Sequence, residues 1–439
     1  MFEPLYTAEE MRAAEQGHDV EALMERAGRA VADAVLRRYP EARRIAAVCG
    51  GGANGGDGRI ALRILRDAGR EASEELVDGA DLVIDALFGT GFHGEPRPDA
   101  AALIVRINAA GVPVVAVDLP SGVNASTGEV AGAAVRADVT VTMHGLKVGL
   151  AVAPGRFHAG EVEVADIGLA PAETAHRLVT DEILGLVPRR RDGDTKYTAG
   201  SVLVVGGSPG LTGAVCLAAE AAFRSDAGYV AVCVPRASLP VVETLLIEAV
   251  KAPRERVDEL AERASSLAVG PGLGRADEER ALVRRLLAAL DVPAVVDADA
   301  LFELEPAQWP GPRVLTPHAG ELARLIGENS MWVDAHRLEA LRRAVERFAC
   351  IVLLKGPDTL VGAPGQGVLV CSSGTPALAT AGTGDVLTGV ISAFLAKGMD
   401  ARLAAAAGAV AHGRAAALAP HQVGLIASDV IDSLPLALA

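Results

Sequence analysis

Residues 379–398, ATAGTGDVLTGVISAFLAKG, join a glycine-rich turn holding one acidic residue, Asp385, to an apolar helical segment. A helix that begins at such a turn presents unpaired backbone N–H groups and the positive end of its dipole to whatever lies before it. That is an anion site in outline. A plain helix start is the competing reading. A carboxylate facing bound phosphate is repulsive unless it acts as a base or holds a cation, so the turn reads as built for phosphate chemistry.

Four elements precede it: VLVVGGSPGLTGA (202–214), VGPGLG (269–274), LTPHAGEL (315–322) and LLKGPDTLV (353–361). In this order, together with AGTGD, they resemble the ribokinase-like family, and within it the ADP-dependent NAD(P)H-hydrate dehydratases. The resemblance implies that Ala214, Gly272, Gly274, His318 and Asp385 meet the hydrated nicotinamide substrate. It implies that Lys355, Gly356, Pro357, Asp358, Thr359 and Gly384 hold ADP or the AMP it leaves, with magnesium at the same site. Asp385 would face the substrate hydroxyl as the catalytic base. Taken alone, His318 reads as a helix cap or a satisfied core histidine.

The first half alternates strand and helix. Residues 8–38 read as helical, with Leu23, Ala27, Val31 and Val35 on one face. IAAVCG (45–50), DLVIDALFGTG (81–91) and VPVVAVDLPSGVN (112–124) read as buried strands ending in glycine turns, the first followed by a helix from 59 to 69. This alternation predicts a parallel sheet with ligands at the strand C-termini. Gly50, Gly52 and Gly55 satisfy GxGxxG, a weak signal alone, and no GK[ST] follows, so a P-loop is excluded. Asn54, Asp57, Asp85, Thr90, Asp118 and Ser121 fall at neighbouring strand ends, although Asp85 and Asp118 would each serve a turn equally well. The amide of Asn54, carboxylate of Asp85 and hydroxyl of Ser121 are hard oxygen ligands, and one carboxylate among neutral oxygens suits a monovalent cation, potassium, better than a divalent one.

The runs GGANGGDG, DALFGTG, VDLPSG and TMHGLKVG resemble the NAD(P)H-hydrate epimerase family over about residues 5–170. That resemblance implies substrate contacts from Ala53, Asn54, Gly55, Gly56, Asp57 and from Gly89, Thr90, Gly91, Phe92, His93, Gly94, Glu95. Asp118 and Lys147 complete the set, with Asp118 the first candidate for acid–base catalysis and Asp57 the second. Two departures weaken the expectation of activity. Ala53 stands where the family has an asparagine, and the stretch GREASEELVDGADLVID is short where the family has another strand and helix.

Length and charge agree with this picture. A chain of 439 residues is too long for one ordinary core. The expected fold is α/β with two doubly wound domains: an N-terminal Rossmann-like epimerase domain (1–185) and a larger C-terminal ribokinase-like dehydratase domain (186–439). Between them lie Pro171, Pro188 and the basic run Arg189, Arg190 and Arg191, read as a solvated turn. A formal charge of -15 argues against nucleic acid. The start, MFEPLYTAEEMRAAEQ, lacks an apolar h-region and no run is long enough to span a bilayer, so a cytoplasmic protein without a membrane partner is expected. Cys49, Cys216, Cys233, Cys350 and Cys371 show no CxxC spacing and read as buried thiols. Of the 41 basic residues five are lysines, and Lys147, Lys196 and Lys355 fall in motifs, where a compact point charge has a use.

The two resemblances fit one repair pathway. NADH and NADPH take up water on the nicotinamide ring to give epimeric hydrates, NADHX and NADPHX; one activity interconverts the R and S forms and the other dehydrates S with ADP, releasing AMP and phosphate. Two other readings stay open at this point: a dehydratase with an inactive N-terminal binding module, and a ribokinase-like small-molecule kinase. A homo-oligomer is expected.

Overall fold

Runs such as RIAAVC, LVIDA and SVLVV are apolar on both faces, which suits strands of a parallel sheet covered by helices on both sides. In the computed structural model, which describes every residue except Val77, they form two separate sheets. The chain divides into two units: Pro4–His176 with Asp334–Arg337, and the remainder, Met1–Glu3, Arg177–Val333 and Leu338–Ala439.

The first unit carries strands β2 (Arg44–Cys49), β3 (Glu71–Ser73), β4 (Leu82–Ala86), β5 (Val114–Val117), β6 (Val139–Met143) and β7 (Glu161–Ala165). They lie in the order β3-β2-β4-β5-β6-β7, with every pair parallel. The strand order reverses beside β2 and β4, where a doubly wound sheet opens a crevice at its C-terminal edge. Where a single helix was expected over 8–38 there are two, Ala8–Glu15 and Val20–Arg38. The chain turns at Gly17, whose φ of 82° suits glycine, and Asp19 then caps the second helix. The glycine run is also more helical than its composition indicates, since the following helix starts at Ala53 rather than 59. In the shortened stretch β3 persists as a three-residue edge strand, and no helix follows it among the described residues before β4.

The second unit is built on strands β8 (His176–Val179), β9 (Ser201–Val205), β10 (Tyr229–Val234), β11 (Val250–Pro253), β12 (Ser266–Val269) and β13 (Ala294–Val296), then β14 (Arg313–Leu315), β15 (Ile351–Leu354), β16 (Thr359–Gly362) and β17 (Leu369–Cys371). With β1 (Phe2–Leu5) at one edge, the order is β1-β8-β17-β16-β15-β14-β13-β12-β9-β10-β11. Strands β9 to β15 pair in parallel, and β16 runs antiparallel to both neighbours. β8 pairs with β17, and Ile183, Leu184 and Val187 are buried in the same core, so the observed division falls at 176/177, ahead of the expected 185/186. Arg189, Arg190 and Arg191 are exposed in a loop, as expected of a solvated turn, and the first two also donate to the carbonyls of Leu438, Asp226 and Ala227.

Helix Thr383–Ala396, read first from the sequence, is buried on all sides from Val386 to Ala396, as an all-round apolar helix must be. Gly389 lets it lie close against helix Thr212–Arg224, because a Cβ there would stand 2.2 Å from the carbonyl oxygen of Ala218. Phe394, with no exposed surface, anchors its far end in the core. Phe394→Ala should therefore cost about 3–5 kcal/mol of stability in urea unfolding of the second unit.

Candidate active sites

In the first unit a cavity of about 840 Å³ opens at the C-terminal ends of the strands. Ala53, Asn54 and Asp57 line it from the glycine-run helix, and Gly89, Thr90, Gly91, Phe92, His93 and Glu95 line it from the turn after β4. Asp118 and Lys147 close its floor. Three expected contacts are not among the lining residues: Gly55, Gly56 and Gly94. Gly55 shapes the turn instead, since a Cβ there would lie 1.9 Å from the carbonyl oxygen of Gly50. Gly56 faces Met24, whose methyl would meet a Cβ at 2.0 Å.

Asp118 follows β5 in a left-handed conformation, φ 65°, which turns its carboxylate beneath the cavity. Its Oδ1 accepts from the Lys147 ammonium, from Thr142 Oγ1 at 3.2 Å and from Met143 N at 3.1 Å. Lys147 is fully buried and also donates to Thr142 Oγ1 and the Met143 carbonyl, at 3.0 and 2.6 Å. Asp57 has no such counter-charge. Burial, and then the carboxylates of Asp118 and Glu15, push it up to about 8, and its Oδ1 is buried without a hydrogen-bond partner. The floor thus sets a carboxylate paired with lysine near one that keeps its proton at neutral pH.

Asn54, Asp85 and Ser121 gather around one peptide. Ser121 Oγ donates to Asp85 Oδ1 at 2.6 Å and accepts from Phe88 N at 2.9 Å, while Asn54 Nδ2 donates to the Phe88 carbonyl at 2.9 Å. Asp85 is wholly buried, its other donors are the amides of Ser121 and Leu87, and burial pushes it up to about 6 against those hydrogen bonds. A buried carboxylate among neutral donors, ringed by amide, hydroxyl and carbonyl oxygens, fits a monovalent cation.

The second unit assembles its groups at the N-terminus of helix Thr383–Ala396, whose cap, Gly382, has φ 90°. Asp385 sits in the first turn. Burial first, and then Asp297, push it up to about 7, with Asp299 and Glu321 adding to the rise and the Lys355 ammonium opposing it. Lys355 lies across the helix start, 3.4 Å from where a Cβ on Gly384 would be, and pairs with Asp297 Oδ1 at 2.8 Å. The other oxygen of Asp297 accepts from Thr388 Oγ1 at 2.8 Å.

The remaining expected residues stand on loops around this point. Gly356 and Pro357 are exposed in the β15–β16 turn, Asp358 is fully buried beneath it and Thr359 opens β16. His318 is a helix cap, its Nδ1 accepting from Gly320 N at 3.0 Å, yet its side chain is 57% exposed and free to meet a ligand. Gly272 and Gly274 are knit to the SPGLTG turn and to Asp299: Ser208 N donates to the Gly272 carbonyl at 2.7 Å, and Gly274 N to Asp299 Oδ2 at 3.0 Å. Ala214 lies in the first turn of helix Thr212–Arg224, half-buried. The ammonium of Lys196 rests 5.1 and 5.8 Å from the ring centres of Tyr197 and Tyr229.

Sequence reasoning missed Asp297 and Glu15. Asp297 stands in VVDADAL, where a strand running into two acidic residues was the available signal. Glu15 lines the cavity from helix Ala8–Glu15, and its carboxyl is raised by burial and then by Asp118. Phe88 and Phe92, stacked with ring centres 4.7 Å apart, form an apolar wall of the cavity.

Comparison with known proteins agrees with both halves. The family described as NAD(P)H-hydrate dehydratase matches residues 202–435, and the one described as YjeF-related protein N-terminus matches 20–76 and 68–149. The chain is 38% identical to a bifunctional NAD(P)H-hydrate repair enzyme of Moorella thermoacetica, over 95% of this chain and 92% of that protein. The protein of the same description from Coxiella burnetii is 36% identical, over 97% and 96%. Among solved structures, the ADP/ATP-dependent NAD(P)H-hydrate dehydratase of Bacillus subtilis, co-crystallised with ATP and Mg2+, is 29% identical with a TM-score of 0.55. The match covers 59% of this chain and 96% of that one.

The Lys147–Asp118 pair yields a stability prediction. Lys147→Met keeps the side-chain bulk and leaves Asp118 without its counter-charge, which should cost about 3–5 kcal/mol in denaturant unfolding of the first unit. A loss below about 1 kcal/mol would mean that the pair is more solvated than its burial indicates.

Proposed function

This chain belongs to the bifunctional NAD(P)H-hydrate repair enzymes, and on that premise we propose which residues carry each reaction. The protein interconverts the R and S hydrates of NADH and NADPH and dehydrates the S form at the expense of ADP. The observation that carries the assignment of the second reaction is Asp385, placed at a helix N-terminus beside the Lys355 ammonium. Asp385 takes the proton of the ring hydroxyl, whose oxygen then attacks the β-phosphorus of ADP while AMP leaves. The first-turn N–H groups and Lys355 offset the charge that develops on the phosphoryl oxygens. The ring nitrogen then expels phosphate, and loss of a proton from the neighbouring ring carbon restores the dihydropyridine.

Magnesium bound with the nucleotide would supply charge neutralisation to its phosphates. No cluster of three or more His, Cys, Asp or Glu among the described residues is arranged to hold a metal ion. His318 orients the nicotinamide carboxamide side of the substrate, and Gly356, Pro357, Asp358 and Thr359 hold the nucleotide.

In the first unit the reaction is reversible loss of hydroxide, helped by the ring nitrogen, and return of water to the other face. Asp57, which keeps its proton up to about 8, protonates the departing hydroxyl. Asp118, backed by Lys147, accepts a proton from the returning water. Potassium, held by Asn54, Asp85 and Ser121, would offset dinucleotide phosphate in an acidic protein. The Asp118–Lys147 pair and the raised Asp57 in the cavity around Ala53 support an active unit rather than a binding module, and release of free phosphate would separate the dehydratase from a kinase whose product keeps its phosphate.

Asp385→Asn should lower dehydration by about 100-fold or more while ADP binding by calorimetry stays nearly unchanged. In the wild type, kcat/KM for dehydration should fall as pH drops through about 7, because the base must be deprotonated and its carboxyl is raised to that value. An Asp385→Asn enzyme keeping more than about a tenth of the rate would sink the assignment. For the first unit, Asp85→Ala should remove any potassium stimulation of epimerisation and weaken dinucleotide binding with it. Epimerisation indifferent both to potassium and to this substitution would refute the ion site.

A further inference from the structure

Asp297 has no role in the chemistry described so far, yet its carboxylate joins two elements of the dehydration site. It follows β13, is 1% exposed, and its two carboxylate oxygens point to different elements. Oδ1 meets the Lys355 ammonium at 2.8 Å and Oδ2 meets Thr388 Oγ1 at 2.8 Å. Thr388 lies three residues beyond Asp385 on the same helix, so its side chain is on the same face. The backbone is equally constrained. Asp297 N donates to the Val269 carbonyl at 3.1 Å, and the Asp297 carbonyl oxygen would stand 1.8 Å from a Cβ on Gly270.

We propose that Asp297 is a positioning residue for the dehydration: its one carboxylate ties Lys355 to the helix that carries Asp385 and sets the strength of Asp385 as a base. The proposal rests on Asp385 being that base. Two charges taken out of water cost several kcal/mol each unless geometry and further hydrogen bonds offset the loss, and here the third partner, Thr388, belongs to the catalytic helix. A lysine left alone beside Asp385 would neutralise it and weaken it as a base. Occupied by Asp297, the ammonium is fixed at the helix N-terminus where phosphate is expected, and a second anion stays near Asp385.

The charged groups around Asp385 come from several elements. Asp297 and Asp299 follow β13, Lys355 follows β15, and Glu321 lies in helix Ala319–Ile326; all four act on its carboxyl, the three acids raising it and Lys355 lowering it. His412, on helix Ala401–Leu418, bonds to the Thr383 backbone and is pushed down to about 4 by burial, so it is neutral at working pH. Helix Thr212–Arg224 carries no charge before Glu220. Helix Ala427–Ala437 carries Asp429, which accepts from Ile426 N at 2.9 Å.

Asp297→Asn preserves the shape but removes one anion and the counter-charge that Lys355 faces there. Both changes favour the charged form of Asp385, so they act in the same direction. The test is the pH profile of kcat/KM for S-epimer dehydration in the full chain with saturating ADP and magnesium. In Asp297→Asn the acid limb should move down by about one pH unit and the plateau should fall about tenfold, as expected of a weaker base and a loosened lysine. Thr388→Val cuts the tether but leaves every charge in place: the rate should fall while the limb stays where it is. Epimerisation, carried by the first unit, should be unchanged in both, and ADP binding by calorimetry reports that the second unit is folded.

A limb present in the wild type and unmoved, or moved upward, in Asp297→Asn overturns the proposal alone. A wild-type profile flat across this range overturns the base assignment and the proposal with it. Should Asp297→Asn fail to fold, full activity in Thr388→Val overturns the tether.

Discussion

In both units an aspartate that directly follows a parallel strand is buried against a lysine from a later segment: Asp118 after β5 with Lys147, and Asp297 after β13 with Lys355. Such a pair is costly, and each is supported by hydroxyl and backbone partners, Thr142 and Met143 in the first unit and Thr388 in the second. The consequence falls on a second carboxylate nearby. Asp57 and Asp385 both belong to a helix that follows a glycine-rich turn, and at Asp385, in the first turn, the dipole favours the charged form by ~0.3–1 kcal/mol. Burial and the neighbouring strand-end aspartate win over that term, pushing Asp57 up to about 8 and Asp385 up to about 7. In the proposed assignment two different reactions therefore rest on the same arrangement: a paired carboxylate that stays in place and an unpaired one that exchanges its proton.

The arrangement requires the helices to be held close and rigid, and small residues provide this. Gly28 lets helix Val20–Arg38 meet the glycine-run helix, since a Cβ there would stand 2.5 Å from Ile60, and Gly389 does the same for the helix carrying Asp385. Backbone-to-backbone packing leaves little room for the helix to shift, and a base misplaced by an ångström loses much of its effect. The glycines of these helices thus act on the chemistry through packing, apart from those that shape the turns themselves.

Much of this was legible in the sequence because the relevant residues are local. The AGTGD turn, the KGPDT turn and the strand-end Asp118 each announce themselves within a few residues, and the alternation of buried strands with helices predicts both sheets. Asp297 was not legible, because its meaning comes from Lys355, 58 residues away, and from Thr388, 91 residues away. In VVDADAL either aspartate reads as a turn residue. Glu15 was hidden by its setting, since AEEMRAAE is an ordinary solvated helix until the break at Gly17 turns its end over the cavity. That break was itself masked by apolar spacing that continues on both sides of it.

The proton affinities of the two unpaired carboxylates also bear on how the reactions combine. In the proposed roles Asp385 works only when it has lost its proton, and Asp57 only while it keeps one. Burial and neighbouring carboxylates raise both, Asp385 to about 7 and Asp57 to about 8. Lys355 opposes the rise at Asp385, whereas Asp57 has no lysine among the groups that act on it and meets two carboxylates, Asp118 and Glu15. An acidic chain of net charge -15 raises carboxylates generally, so the local lysine is what separates a base from an acid here.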